Sequence, residues 1–258
     1  MKIQSLPSTF EADGTAAKRQ HSSCLVIDDR VAIDAGCLAY ACSDLQRSQI
    51  RDVVISHVHL DHIAGLPPFI DDLYSTLTEP VRIHASSEMI AALEEHVFNW
   101  TIYPRFSELT NKYGPVMAYV PFENGVGFDT AHLSIMPIAV NHIPESMGFI
   151  VSDGTVSIGI TGDTAQTDDV WAKLSVEDSL AAVFVECAFP DELVDLAGVS
   201  HHLTPSGLAR ELTKFKRRGV PIYVVNIKPM FHEQVVSELN ALGIDDVIVA
   251  EPRRIYQF

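Results

Sequence analysis

An α/β fold, with two β-sheets packed on each other and helices outside them, is what this 258-residue sequence predicts. Three observations carry the expectation. Short β-branched runs alternate with longer amphipathic stretches. The β-rich runs come first, then helices, then β-rich runs and helices again, without the strict alternation of a barrel or a doubly wound sheet. Hydrophobic residues make up 47% of the chain and charged ones 20%, and no segment is compositionally biased. That composition suits a single packed domain over 1–258 and excludes disordered and fibrous classes.

In chain order, strands are expected over Cys24 to Asp28, Val31 to Asp34, Asp52 to Ser56 and Val81 to Ala85. A second group covers Leu133 to Val140, Phe149 to Ser152, Thr155 to Ile160, Ala182 to Glu186, Ile222 to Val225 and Val247 to Ala250. Helices are expected over Pro68 to Leu77, Ser87 to His96, Asp168 to Leu174, Pro205 to Lys216 and Glu233 to Leu242. The Pro205 helix has the clearest signals: Thr204 can cap it, Pro205 suits its first position, and Gly219 follows its basic end. Residues 67–127 are the least regular, with Tyr103-Pro104 and Tyr113-Gly114-Pro115 interrupting helical runs. This span is therefore expected to be an insertion or lid within the domain.

The formal net charge of -16 bears on partners. Gripping a long nucleic acid requires clustered Lys and Arg to displace counterions, and the one basic run, Lys214 to Arg218, falls where cations complement a helix end. A small anionic substrate is the better fit. No signal-like segment or run of about 18 apolar residues is present, so no membrane partner and a cytoplasmic location are expected; a homodimer is compatible with the sequence. Cys24, Cys37, Cys42 and Cys187 lack disulfide or zinc-ligand spacing and are expected to be reduced core residues.

Directly after the apolar run Asp52 to Ser56, three histidines and an aspartate fall within six residues: His57-Val58-His59-Leu60-Asp61-His62. Imidazole and carboxylate are the ligand types of zinc and similar divalent ions. A histidine-rich surface loop would rarely follow a core strand and lead into apolar Ile63-Ala64-Gly65-Leu66. On this motif the chain resembles the metallo-β-lactamase superfamily, whose further landmarks occur in order as His142 after one strand and Asp163 after another. Alone, His142 would read as a structural residue and Asp163 as a turn former.

The resemblance implies a four-layer αβ/βα sandwich and a centre of two divalent ions, zinc foremost. One ion would be held by His57, His59 and His142, a second by Asp61 and His62, with Asp163 between them and a bridging hydroxide as nucleophile. At the sixth landmark, normally histidine, the segment Val224 to Pro229 has Asn226. Asparagine is the weaker ligand, so the second ion is expected to bind less tightly or to be manganese or iron; His232 is an alternative ligand.

Within the superfamily, the stretches Ser56 to Leu66, His96 to Phe106, Val185 to Pro190 and His202 to Pro205 are most similar to class II 3′,5′-cyclic-nucleotide phosphodiesterases, relatives of tRNase Z. That similarity implies hydrolysis of a cyclic nucleotide to the 5′-monophosphate. It also implies that His202 protonates the leaving oxygen while Glu186 orients it; Asp61 counts with them as a catalytic residue. Glu186 could instead simply end a core strand. Pro67-Pro68 and Arg105 depart from the class II pattern, and Trp100, Tyr103 and Phe106 could stack a purine or pack the core. Two alternatives stand beside this reading. One is an RNA-processing enzyme like tRNase Z, whose flexible Gly-rich basic arm is missing here; the other is a metal-binding regulatory protein in which Asn226 has degraded the second site.

Overall fold

In a computed structural model of residues 1–258, the chain forms two seven-stranded sheets and a small two-stranded one. The first sheet runs Ile255–Gln257, Lys2–Ser5, Leu25–Ile27, Val31–Ile33, Asp52–Val54, Val81–Ala85, Met117–Pro121. The second runs Val247–Val249, Ile222–Val225, Leu180–Glu186, Ser157–Ile160, Met147–Ser152, Leu133–Ala139, Phe128–Thr130. Each sheet has an antiparallel half and a parallel half. Antiparallel neighbours need only short turns, whereas parallel neighbours need crossovers long enough for a helix. The helices Leu66–Leu73, Ser87–His96, Asp169–Val176, Pro205–Leu212 and His232–Ala241 all lie in such crossovers.

The layers follow from what each face buries. One cluster of 43 buried residues takes side chains from both sheets, such as Val53 and Ile83 from the first and Phe149 and Phe184 from the second, so the sheets pack face to face. It continues through Phe69, Ile70 and Leu93 beneath the helices outside the first sheet. A second cluster, with Trp171, Leu208, Val235 and Leu239, seats the remaining helices on the outer face of the second sheet. The result is the expected order of helices, sheet, sheet, helices.

Every strand and helix expected from the sequence is present, Val81–Ala85, Ile222–Val225 and Ser87–His96 with the expected ends and the others with shifted ones. The Pro205 helix stops at Leu212 rather than Lys216, although Thr204 caps it as expected by accepting from the Gly207 amide at 3.2 Å. Beyond it, Lys214 pairs with Asp168 at 2.7 Å and Glu211 at 2.8 Å, so the basic run ties a loop to neighbouring elements. The span 67–127 differs more from expectation. Val81–Ala85 lies inside the first sheet, hydrogen-bonded to Asp52–Val54 and to Met117–Pro121, and the helices around it cover that sheet. This span is therefore a layer of the sandwich, and its irregular part narrows to about 97–116. The terminal strands Lys2–Ser5 and Ile255–Gln257, which the sequence pattern did not signal, pair with each other, and the Met1 amine donates to the Phe258 carbonyl at 2.8 Å. No helix is long and apolar enough to cross a membrane, and all four cysteines are free, three of them buried.

Candidate metal centre

Ligands in sheets with parallel halves gather beyond the carboxyl ends of the strands, where the crossovers turn. The candidate residues stand at such ends. Asp34 follows Val31–Ile33, His57 to His62 follow Asp52–Val54, Asp163 follows Ser157–Ile160, Glu186 ends Leu180–Glu186, and Asn226 follows Ile222–Val225. His142 comes from the loop after the antiparallel strand Leu133–Ala139. Close backbone approach makes this convergence possible. A Cβ on Gly36 would lie 1.9 Å from the Asp61 carbonyl oxygen, and Gly162, at φ +62°, would place one 2.9 Å from the Met147 carbonyl oxygen.

Three imidazoles meet first. His57 Nε2 lies 3.1 Å from His59 Nδ1, and His142 Nε2 lies 3.2 Å from the same atom. Outer hydrogen bonds turn these nitrogens inward: His57 Nδ1 is 3.1 Å from Ser56 Oγ, and His142 Nδ1 donates to the His201 carbonyl at 2.9 Å. Burial lowers His57 well below the ordinary imidazole value, and the nearby His62 charge adds to it. Burial likewise lowers His59 and His142. Neutral imidazole is the form that binds metal.

His62 and Asp163 form the adjoining group. His62 Nδ1 is 2.7 Å from Asp34 Oδ2, and His62 Nε2 is 3.2 Å from Asp163 Oδ2. Asp34 is buried and held by the Ser56 amide and hydroxyl, both donating at 2.8 Å. Burial opposes charge on His62, but the carboxylates of Asp163 and Asp34 outweigh it and hold His62 well above its ordinary value. Burial opposes charge on Asp163 too, yet His62 keeps it well below the usual carboxylate range. The donor nitrogens and oxygens of His57, His59 and His142, and those of His57, His62 and Asp163, each lie within 4.8 Å of one another. Such converging N/O donors, all buried but that of His59, fit a divalent ion of the zinc type.

His202 completes the centre. Its Nδ1 lies 2.7 Å from Glu186 Oε1 and 4.0 Å from Asp163 Oδ2. Glu186 is fully buried and accepts amide hydrogen bonds from Thr164 at 3.0 Å, Ala188 at 3.0 Å and Leu203 at 3.3 Å. It therefore does more than end a core strand, because three of the four hydrogen bonds its carboxylate makes come from the His202 loop or the Asp163 loop. Burial pushes the Glu186 carboxyl up while His202 opposes the rise. Burial also opposes charge on His202, but the hydrogen bond and charge of Glu186, with Asp163 behind, raise it above its ordinary value. The pair holds a proton beside the centre.

The structure thus brings together His57, His59, His62, His142, Asp163, Glu186 and His202. Asp61 and Asn226 border the same place but face other partners. Asp61 Oδ2 is 3.2 Å from Lys228 Nζ, and Asn226 Nδ2 donates to Asp163 Oδ1 at 2.8 Å. A cavity opens here, lined among others by Lys18, His21, Asp61, Asn226, Lys228 and His232. His232 stands in no ligand group. The aromatics Trp100, Tyr103 and Phe106 do not line this cavity; Phe106 is buried in the core and Trp100 is exposed. Arg105 lies 3.6 Å from Glu94 and 3.4 Å from Glu108, in surface ion pairs. Sequence reasoning missed Asp34, Ser56 and Lys228. For Asp34 the available signal was a carboxylate ending the strand that pairs with the motif strand.

A family model described as Anti-Pycsar protein Apyc1 matches residues 11–201. A Yersinia pestis protein named probable 3′,5′-cyclic-nucleotide phosphodiesterase is 28% identical, over 80% of this chain and 67% of its own length. An Aliivibrio fischeri protein named 3′,5′-cyclic-nucleotide phosphodiesterase is 27% identical, over 66% and 54%. The chain therefore spans about two thirds of the first relative and about half of the second. Among solved structures, the metallo-β-lactamase fold protein YhfI from Bacillus subtilis superposes with a TM-score of 0.73 at 16% identity, covering 99% of both chains. The two-sheet sandwich is the metallo-β-lactamase fold, as the motif implied.

Proposed function

The chain belongs to the family described as Anti-Pycsar protein Apyc1, and on that premise we propose that it is a metal-dependent phosphodiesterase converting a 3′,5′-cyclic nucleotide to the 5′-monophosphate. One observation supports this above the others: the inward-turned nitrogens of His57, His59 and His142 lie beside a buried proton-holding pair, His202 and Glu186. A metal site next to a proton donor is what hydrolysis of a phosphodiester requires.

His57, His59 and His142, with Asp163, would hold the first ion, which we take to be zinc. Asp61, His62 and Asp163, with Asn226, would hold a second, weaker one. When bound, such ions supply positive charge to the phosphate and polarise a water. The chain's own groups do the rest. Asp34, the His201 carbonyl and Glu186 each engage Nδ1 of His62, His142 and His202, which fixes Nε2 as the nitrogen each ring presents. Water adds to phosphorus and releases a proton to solvent, the P–O3′ bond breaks, and His202, held through Nδ1 by Glu186, gives the proton on Nε2 to the departing 3′-oxygen. The cavity with Lys18 and Lys228 on its wall offers positive charge to a small anion in a protein of net charge -16. Four unpaired cysteines agree with work in a reducing compartment, the cytoplasm.

The test is turnover of a panel of 3′,5′-cyclic nucleotides by purified, ion-loaded protein, with the product identified by chromatography. Formation of the 5′-monophosphate, abolished by chelation, is expected. Cleavage of bis(p-nitrophenyl) phosphate with every cyclic nucleotide left intact would refute the substrate class.

A further inference from the structure

The second-ion position differs from the first in what its carboxylates already hold. At the first, three histidine nitrogens face one another without an intervening cation from the chain. At the second, two donors from one loop occupy the carboxylates. The Asn226 amide nitrogen donates to Asp163 Oδ1 at 2.8 Å, and the Lys228 ammonium lies 3.2 Å from Asp61 Oδ2. Both donors leave the end of the same strand, Ile222–Val225, two residues apart. Asn226 can offer its amide oxygen to an ion only by turning the amide over, which ends its bond to Asp163 and leaves that carboxylate oxygen to the ion. Lys228 presents a further obstacle. Its side chain is about one-third exposed and reaches the Asp61 carboxylate, so an ion bound to that carboxylate would sit within a few ångström of a full positive charge.

From this juxtaposition we infer that Lys228 is a tethered competitor for the second metal ion: ammonium and ion claim the same Asp61 carboxylate, and the chain holds one ion tightly and the second in exchange with solution. The inference rests on the reading of this centre as a metal site. It adds that the metal requirement has two parts, a resident ion and one whose occupancy follows free metal concentration. A different role for Lys228, that of orienting Asp61 toward a second ion, makes the opposite prediction, because removing the lysine would then weaken the second site.

Equilibrium metal binding without substrate separates the two. Zinc and manganese are titrated into the full chain by calorimetry, and ions retained after gel filtration are counted by plasma mass spectrometry. The wild type is expected to retain about one ion. Lys228→Met should tighten the second site at least tenfold and leave the first unchanged, and Asn226→His should tighten it further. Asn226 sits at φ +55°, a region that asparagine and histidine both enter more readily than most residues, so that exchange keeps the backbone. If Lys228→Met does not fold, Lys228→Gln serves, with circular dichroism as the control. Two ions retained by the wild type, or a second site unchanged or weakened by loss of Lys228, would overturn the inference. Neither result depends on cyclic-nucleotide turnover, so failure of the proposed substrate and failure of this inference are told apart.

Discussion

The strand Asp52–Val54 carries a buried histidine–carboxylate cluster at each end, and the two differ in how their charge is balanced. At its start, Asp52 accepts two hydrogen bonds from Arg82, each at 2.7 Å, and lies 2.9 Å from His84, whose Nε2 is 3.0 Å from the Thr130 hydroxyl. A guanidinium closes this cluster, and a carboxylate paired with a bidentate arginine is a structural arrangement. Beyond its other end stand His57, His59, His62 and His142 with Asp34 and Asp163, and no arginine. There Asp34 and Asp163 are met by the His62 ring rather than by a guanidinium, and the converging lone pairs of His57, His59 and His142 are left to a cation from outside. Residue types alone do not distinguish the two ends; the neutralising partner does.

The comparison sharpens most at His202, the one ring of the centre assigned to proton transfer. His202→Ala should lower kcat by roughly 10²- to 10⁴-fold, the usual contribution of a positioned acid, with metal content unchanged by mass spectrometry. Loss of metal in this variant would make His202 a ligand instead. Asp34→Asn should reduce metal affinity by about 10- to 100-fold, as removal of an outer carboxylate does; calorimetry reads this directly, and the first site, which Asp34 does not touch, should change less than the second.

At the other end, Arg82→Ala should leave metal content and turnover alone and cost stability instead. The loss should be about 3 kcal/mol, the low end for stranding a buried carboxylate, since Arg82 is one-third exposed. Urea denaturation measures it, and a fall in bound metal would show that the two ends are not independent. The smallest effect is the pH dependence of that stability. Burial alone would raise Asp52, but the hydrogen bonds of Arg82 and His84 hold it below the usual carboxylate range. A depressed carboxylate contributes stability that is complete above its unfolded value of about 4 and is lost as pH falls through the folded one. The wild type should therefore keep this contribution to about pH 5 and lose it progressively in stronger acid. Arg82→Ala should show a smaller loss of stability over the same acid range, because most of the Asp52 depression that causes the loss is gone.

Much of this contrast was legible in the sequence and some was not, for reasons that lie in how each element is held. His57 to His62 stand within six residues after an apolar strand, so local spacing exposes them. His142, Asp163, Glu186 and His202 were found only because strand ends come in a fixed order, and each alone passes for a turn or core residue. Asp34 reads as the last residue of a strand; only the fold brings it 28 positions along the chain to His62. Lys228 stood beside the doubtful Asn226, but its pairing with Asp61 spans 167 positions, and no local pattern carries that. The span 67–127 read as a lid because Pro and Gly interrupt its periodicity, yet parallel pairing of Met117–Pro121 with Val81–Ala85 ties part of it into the first sheet.

The most direct test is the number of zinc ions that remain bound after exhaustive dialysis of the wild type, a His57→Ala/His59→Ala variant and a His84→Ala variant. About one ion per chain in the wild type and in His84→Ala, with none in His57→Ala/His59→Ala, is the predicted result. Equal metal in all three, or no metal in a folded wild type, would contradict the assignment of the metal centre to the carboxyl end of the strand.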